Sequence, residues 1–180
     1  METFSSKVKT IWITDDDDDD LFIFQDALKE IHPVVNITTF YSGGDLLNAL
    51  ITFTAPDLLF LDLKLPIIIG TDCLFLIRSQ ENHKRLPIII YSSSLHPSDI
   101  FKSYELGASL FLSKPGTYTK LCQNLKALLE FNWDEVEKIK KDHCVAGKYV
   151  PFMTQKLKLA FAGYKMGPLR NPLFLQGIKF

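Results

Sequence analysis

Cysteine is scarce in this chain. Cys73, Cys122 and Cys144 are the only three in 180 residues, and none forms a CxxC pair. An odd, sparse set argues against a disulfide framework and fits reduced thiols. The four histidines, at 32, 83, 96 and 143, have no metal-site spacing. Membrane-length apolar runs are also missing. A stretch such as Leu86–Tyr91 falls far short of the roughly 20 residues needed to cross a bilayer. Met1–Thr10 lacks the apolar core of a signal peptide, so the expectation is a cytoplasmic protein without a membrane span. The sequon Asn36-Ile37-Thr38 is then read as chance. Neither charge sign dominates: 20 Lys and Arg face 21 Asp and Glu, net −1, which speaks against a chain that is cationic throughout, as many nucleic-acid binders are. No G-x-x-x-x-G-K-[ST] occurs, which excludes a P-loop nucleotide hydrolase.

What is present is an ordinary globular composition, 47% apolar and 23% charged, long enough for one domain plus an extension. Up to about residue 130, two kinds of segment alternate. Short apolar runs at Val8–Thr14, Val35–Phe40, Asp57–Asp62, Pro87–Ser92 and Ser109–Leu112 predict strands. Between them, residues such as Leu21, Phe24, Leu28 and Ile31 fall on one helix face. The same spacing returns at Leu46, Leu47, Leu50 and Ile51, at Leu74 and Ile77, at Ile100, Phe101 and Tyr104, and at Leu121, Leu125, Leu128 and Leu129. Boundary residues agree: Asp17–Asp20 start the first helix, Thr71-Asp72 can cap the third, Pro97 suits a first helical turn, and Gly107 suits a helix stop. Leu58–Leu61 and Ile88–Ile90 are continuously apolar, as strands covered on both faces are. The fold class is therefore α/β, a doubly wound five-stranded parallel sheet.

In such a sheet, ligands bind beyond the carboxyl ends of the strands. Asp15–Asp20 follow the first strand, Asp62 ends the third, Ser92-Ser93-Ser94 end the fourth, and Ser113-Lys114-Pro115 follow the fifth. Carboxylates from two strands would repel one another unless a cation offsets them. Mg²⁺ prefers one or two carboxylates plus water and phosphate oxygens, and a lysine supplies a point charge for phosphate. The set suits phosphoryl transfer.

With Asp15-Asp16, Asp62-x-x-x-Pro66-x-x-x-Gly70, Ser92, and Leu106-Gly107-Ala108-Ser109-x-Phe111-Leu112-x-Lys114-Pro115 in order, residues 7–130 resemble the receiver domain of bacterial two-component response regulators, of the stand-alone type. The resemblance implies the flavodoxin-like strand order 2-1-3-4-5. It implies that Asp62 is the phosphoacceptor, taking a phosphoryl group from a sensor histidine kinase or phosphotransfer protein. It implies Mg²⁺ held by Asp16 directly, by Asp15 largely through water, by Asp62 and by the backbone carbonyl of Lys64. Ser92 and Lys114 would contact the phosphoryl group, and Phe111 would be an aromatic switch that turns inward when Ser92 moves. Pro115 commonly follows a cis bond in this family. Signalling would pass by protein contact through the fourth helix, fifth strand and fifth helix, a face also open to homodimer formation. No enzyme activity is expected beyond self-phosphorylation and self-dephosphorylation at Asp62.

Some residues depart from the family pattern. Ser stands at 92 for the commoner Thr, Phe at 111 for Tyr, Gly116 for an aromatic, and Ile67-Ile68-Ile69 makes the loop after the third strand unusually apolar. A haloacid-dehalogenase phosphatase would need a second aspartate where Lys64 stands. A phosphorylation-independent binding module of the same fold is the other alternative. We divide the chain into residues 1–131, the receiver domain, and residues 132–180, a short helix (Trp133–Lys141) and a basic C-terminal extension. Residues 143–180 hold six basic side chains and no acidic one, leaving 14 basic against all 21 acidic in residues 1–142. The extension can pack on the receiver or on another subunit, stay a flexible cationic arm, or contact nucleic acid or a membrane surface. Six cations without a helix-turn-helix pattern argue poorly for nucleic acid.

Overall fold

The computed structural model describes residues 7–145 and 148–152. Five strands form one parallel sheet: β1 (Thr10–Thr14), β2 (Asn36–Phe40), β3 (Leu58–Leu61), β4 (Ile88–Ser92) and β5 (Leu110–Ser113). Their order is β2-β1-β3-β4-β5, as the resemblance implied. The helices between them are α1 (Asp18–Ile31), α2 (Gly43–Thr52), α3 (Gly70–Arg78), α4 (Pro97–Glu105) and α5 (Tyr118–Leu129). A 3₁₀ turn, Trp133–Glu135, leads into α6 (Val136–Asp142), and a small antiparallel pair, β6 (Cys144–Val145) and β7 (Lys148–Tyr149), follows.

Each inner strand is apolar on both faces, and its period of two sends alternate residues to opposite layers. Ile11, Ile13, Phe60, Tyr91, Leu110 and Leu112 meet Phe24 and Leu28 of α1 and Leu121, Leu125 and Leu128 of α5. Trp12, Leu59, Leu61, Ile88, Ile90 and Phe111 meet α2, α3 and α4 through Leu46, Leu50, Leu74, Ile77 and Ile100. Edge strand β2 is only half buried. Two apolar positions from the helical pattern lie outside: Ile51 is 74% exposed and Phe101 56%, because buried Ala49 and Ser103 take the inward positions in their helices.

The helix starts follow local chemistry with one exception. Asp17 is the N-cap of α1, accepting from the N–H groups of Asp19 (2.9 Å) and Asp20 (3.2 Å). Pro97 occupies the first turn of α4, and Gly107 stops the chain after it at φ 97°. Thr71-Asp72 do not cap α3. The helix begins earlier, at Gly70, and its N-cap is Ile69, without a side-chain bond. Close packing explains this: a Cβ on Gly70 would lie 2.0 Å from the carbonyl oxygen of Asp62. The first helical turn is thus pressed against the end of β3. All described peptide bonds are trans, Lys114–Pro115 included, so the cis bond is not found.

The packing continues past residue 131. Ile139 and Phe152 join the layer formed by α1 and α5. The Phe152 N–H donates to Phe111 O at 2.6 Å, on the outer edge of β5. Tyr149 stacks on Tyr104 of α4 at 4.3 Å between ring centroids, and the Tyr104 hydroxyl donates to Val150 O at 3.3 Å. The helix expected at Trp133–Lys141 is present as the 3₁₀ turn and α6. Of the readings of the extension, packing on the chain's own five-stranded domain holds for its described part. The remainder of the extension, residues 153–180, lies outside the described residues.

Candidate functional site

The backbone delivers three charged side chains, Asp15, Asp62 and Lys114, to one edge of the sheet. Asp15 directly follows β1, and its N–H continues the pairing with β2 through Phe40 O at 3.0 Å. Asp62 directly follows β3, its N–H bonded to Thr14 O at 3.0 Å. The Lys114 N–H bonds to Ser92 O at 2.9 Å, extending the β4–β5 ladder. Gly70, with its N–H on Leu63 O at 3.0 Å, closes the loop under Asp62.

Asp15, Asp16 and Asp62 each offer a carboxylate oxygen, and these oxygens lie within 4.8 Å of one another. Asp15 and Asp62 are buried and Asp16 is exposed. Lys114 Nζ reaches Asp15 Oδ2 at 2.7 Å, Asp20 Oδ2 at 2.7 Å and Asp62 Oδ2 at 3.6 Å. The ammonium sits 5.5 Å from the ring centroid of Tyr91, a buried residue of β4. Burial pushes the Asp15 carboxyl above its ordinary pKa, and Lys114 offsets only part of that. Burial alone would lower the Lys114 pKa, but its bonds to Asp15 and Asp20 outweigh this and hold it above the usual lysine value.

One ammonium therefore pairs with three carboxylates, and Asp16 adds a fourth negative charge beside Asp15 and Asp62. Two unit charges 4.8 Å apart repel by about 3 kcal/mol at an effective dielectric near 20. The donor set is all oxygen and the net charge is negative, which fits a hard divalent cation such as Mg²⁺.

Of the expected residues, Asp15, Asp16, Asp62 and Lys114 converge. Ser92 ends β4 on the same edge, fully buried, and its Oγ accepts from the Ser94 N–H at 3.4 Å. Lys64 is exposed, two residues beyond Asp62. Phe111 stands apart. Its ring is wholly buried in the layer formed with α2, α3 and α4, so it is already inward, and its N–H donates to the Tyr104 hydroxyl at 3.1 Å. Asp20, Tyr91 and Tyr104 were not singled out for the site. Asp20 was hidden in a run of six identical side chains, and the two tyrosines read as core.

The relatives of this chain carry the same frame. The family model described as the response regulator receiver domain matches residues 11–126. The chain is 35% identical over 105 residues to the DNA-binding transcriptional regulator NtrC of Klebsiella pneumoniae, covering 58% of this chain and 21% of NtrC. It is 37% identical over 78 residues to the sensory transduction protein BceR of Halalkalibacterium halodurans, covering 43% of this chain and 32% of BceR. The chain thus spans a third or less of the length of these two curated relatives. Among solved structures, the phosphorylated cyanobacterial phytochrome response regulator RcpA superposes with a TM-score of 0.65 at 30% identity, over 71% of this chain and 95% of that one. The match runs through β1, β3, β4 and β5, the strands whose ends carry the acidic site, and the chain belongs to the response regulator receiver domain family, the receiver module of two-component signalling.

Proposed function

We propose that Asp62 is a phosphoacceptor and that Asp15, Asp16, Asp62 and the backbone carbonyl of Lys64 hold the Mg²⁺ that acceptance requires. The observation that carries this reading is the trio of carboxylates within 4.8 Å, with the Lys114 ammonium against it. When bound, Mg²⁺ offsets the negative charge of the carboxylates and of an incoming phosphoryl group.

The chain's own residues do the rest. An oxygen of Asp62 attacks phosphorus. The bond from phosphorus to the donor's histidine nitrogen breaks, and the imidazole leaves with that electron pair. The product is an acyl phosphate on Asp62. Lys114 places its positive charge beside the phosphoryl oxygens, and Ser92 supplies a hydroxyl donor from the end of β4. Hydrolysis reverses the state: water attacks phosphorus and Asp62 leaves as a carboxylate. The donor is a sensor histidine kinase or a phosphotransfer protein, the partners of receiver domains. RcpA, solved in a phosphorylated form, makes a phosphorylated state of this chain a natural expectation.

The signal then passes by protein contact. Residues 1–131 are the receiver and 132–180 its extension. Since Tyr149 and Phe152 lie on α4 and β5, a partner or second copy approaching the α4–β5–α5 face meets the extension as part of that surface. Phe111, bonded through its backbone to both Tyr104 and Phe152, is the switch between the acceptor edge and this surface. No helix among the described residues is long and apolar enough to cross a membrane, and the three cysteines are free, as suits a cytoplasmic location.

The test is exposure of the full chain to a small acyl-phosphate donor with and without Mg²⁺, read by intact mass. One added phosphoryl group, dependent on Mg²⁺ and lost in Asp62→Asn, is the expected result. Unchanged labelling of Asp62→Asn would refute the assignment.

A further inference from the structure

Asp20 does more than begin a helix. It is the third residue of α1, and its N–H is tied to the Asp17 side chain at 3.2 Å, so a capped first turn fixes where it stands. From there Asp20 Oδ2 reaches Lys114 Nζ at 2.7 Å, joining α1 to the end of β5. The lysine side chain is only 14% exposed and the Asp20 side chain 38%.

An ammonium has three donors. Asp20 takes one at 2.7 Å, whereas Asp15 Oδ2, equally close at 2.7 Å, meets the ammonium as an ion pair outside hydrogen-bond geometry. Asp62 Oδ2, at 3.6 Å, is too far for a full hydrogen bond, which leaves donor capacity for oxygens on the Asp62 side. Asp15 also belongs to the trio that suits a divalent cation, whereas Asp20 does not. A carboxylate shared with a metal is a weak tether for a second cation. Asp20 is the acid that can hold Lys114 whether or not the metal is there. Lysine is a compact charge on a flexible four-carbon stem, and without such a hold it would lose its fixed place at the acceptor.

We propose that Asp20 is a positioning residue for phosphoryl acceptance, holding the Lys114 ammonium beside Asp62 so that its remaining donor meets the phosphoryl oxygens. This rests on the reading of Asp62 as phosphoacceptor.

The test compares labelling rates by a small acyl phosphate with Mg²⁺ in the full chain for the wild type, Asp20→Asn, Lys114→Ala and the double variant. Asp20→Asn is expected to slow labelling about 10- to 100-fold, the usual effect of losing a group that orients an active one. The Mg²⁺ concentration for half-maximal rate should not move, and Asp20→Asn should add nothing in the Lys114→Ala background. An equal slowing in both backgrounds, or a shift in Mg²⁺ requirement in place of rate, would overturn the proposal. The ¹⁵N–¹H signal of the Lys114 ammonium gives a reading independent of chemistry: it should be visible in the wild type and lost in Asp20→Asn, and its persistence would also overturn the proposal. A wild-type chain that takes no label at all, while its Lys114 signal is visible and sensitive to Asp20, would remove the phosphoacceptor reading and leave Asp20 a mere structural tether.

Discussion

Ile67 sits at φ 66° with its side chain 99% exposed. The left-handed region costs a non-glycine residue about 1–2 kcal/mol, and this side chain recovers nothing by burial. Ile67→Gly should therefore stabilise the chain by about 0.5–1 kcal/mol once the greater freedom of unfolded glycine is counted; denaturant unfolding, with Ile67→Val as an unchanged control, checks it. Asp57 works the other way. Its Oδ2 accepts from the N–H groups of Lys9 and Thr10, both at 2.8 Å, and from the Thr10 hydroxyl at 3.0 Å. Partial burial opposes ionisation, but these bonds outweigh it and hold the carboxyl below its ordinary 3.8. A depressed carboxyl stabilises the fold above the unfolded pKa and loses that contribution as pH falls through the folded value. Asp57→Asn should cost on the order of 1 kcal/mol at neutral pH, given its exposure. The gap in melting temperature between variant and wild type should close as pH drops below 3.8. At this scale, Asp15, Asp62 and Lys114 were legible because each follows an apolar strand. Asp20 was not, because its partner lies 94 residues away and its neighbours are the same side chain.

Elements were legible in proportion to their length and apolar content. The inner strands announce themselves with runs such as Leu58–Leu61, and each helix carries a repeating face. The β6–β7 pair is two residues a side and has no period. It exists because Tyr149 can stack on Tyr104, and because Val150 and Phe152 bond to α4 and to the open edge of β5. Those contacts are tertiary and leave no local trace. They also make the pair removable. Phe152→Ala, which empties a buried site beside Phe131 and His143, should cost about 3–5 kcal/mol if the segment unfolds only with the whole chain. A smaller loss, with faster amide exchange confined to residues 144–152, would show that the segment opens alone. Gly70→Ala should also be costly, since the new Cβ would meet backbone rather than a movable side chain. Its mark should be a shifted Asp62 environment as well as a lower melting temperature.

For the whole molecule, the near-zero net charge conceals a division. The acidic side chains all lie before residue 143, three of them around one lysine, and the stretch from 143 on is basic. A fold that gathers like charges at one edge is stabilised by whatever cation relieves them. Mg²⁺ at saturating concentration should raise the melting temperature of the wild type, and of Asp16→Asn and Asp62→Asn much less. The central claim, acceptance at Asp62, is tested most directly by locating the phosphoryl group. The wild-type chain is labelled with a small acyl phosphate and Mg²⁺, reduced with borohydride, and digested for peptide mass analysis. Conversion of residue 62 alone to homoserine is the expected result; reduction at Asp15, Asp16 or Asp20, with residue 62 intact, would contradict it.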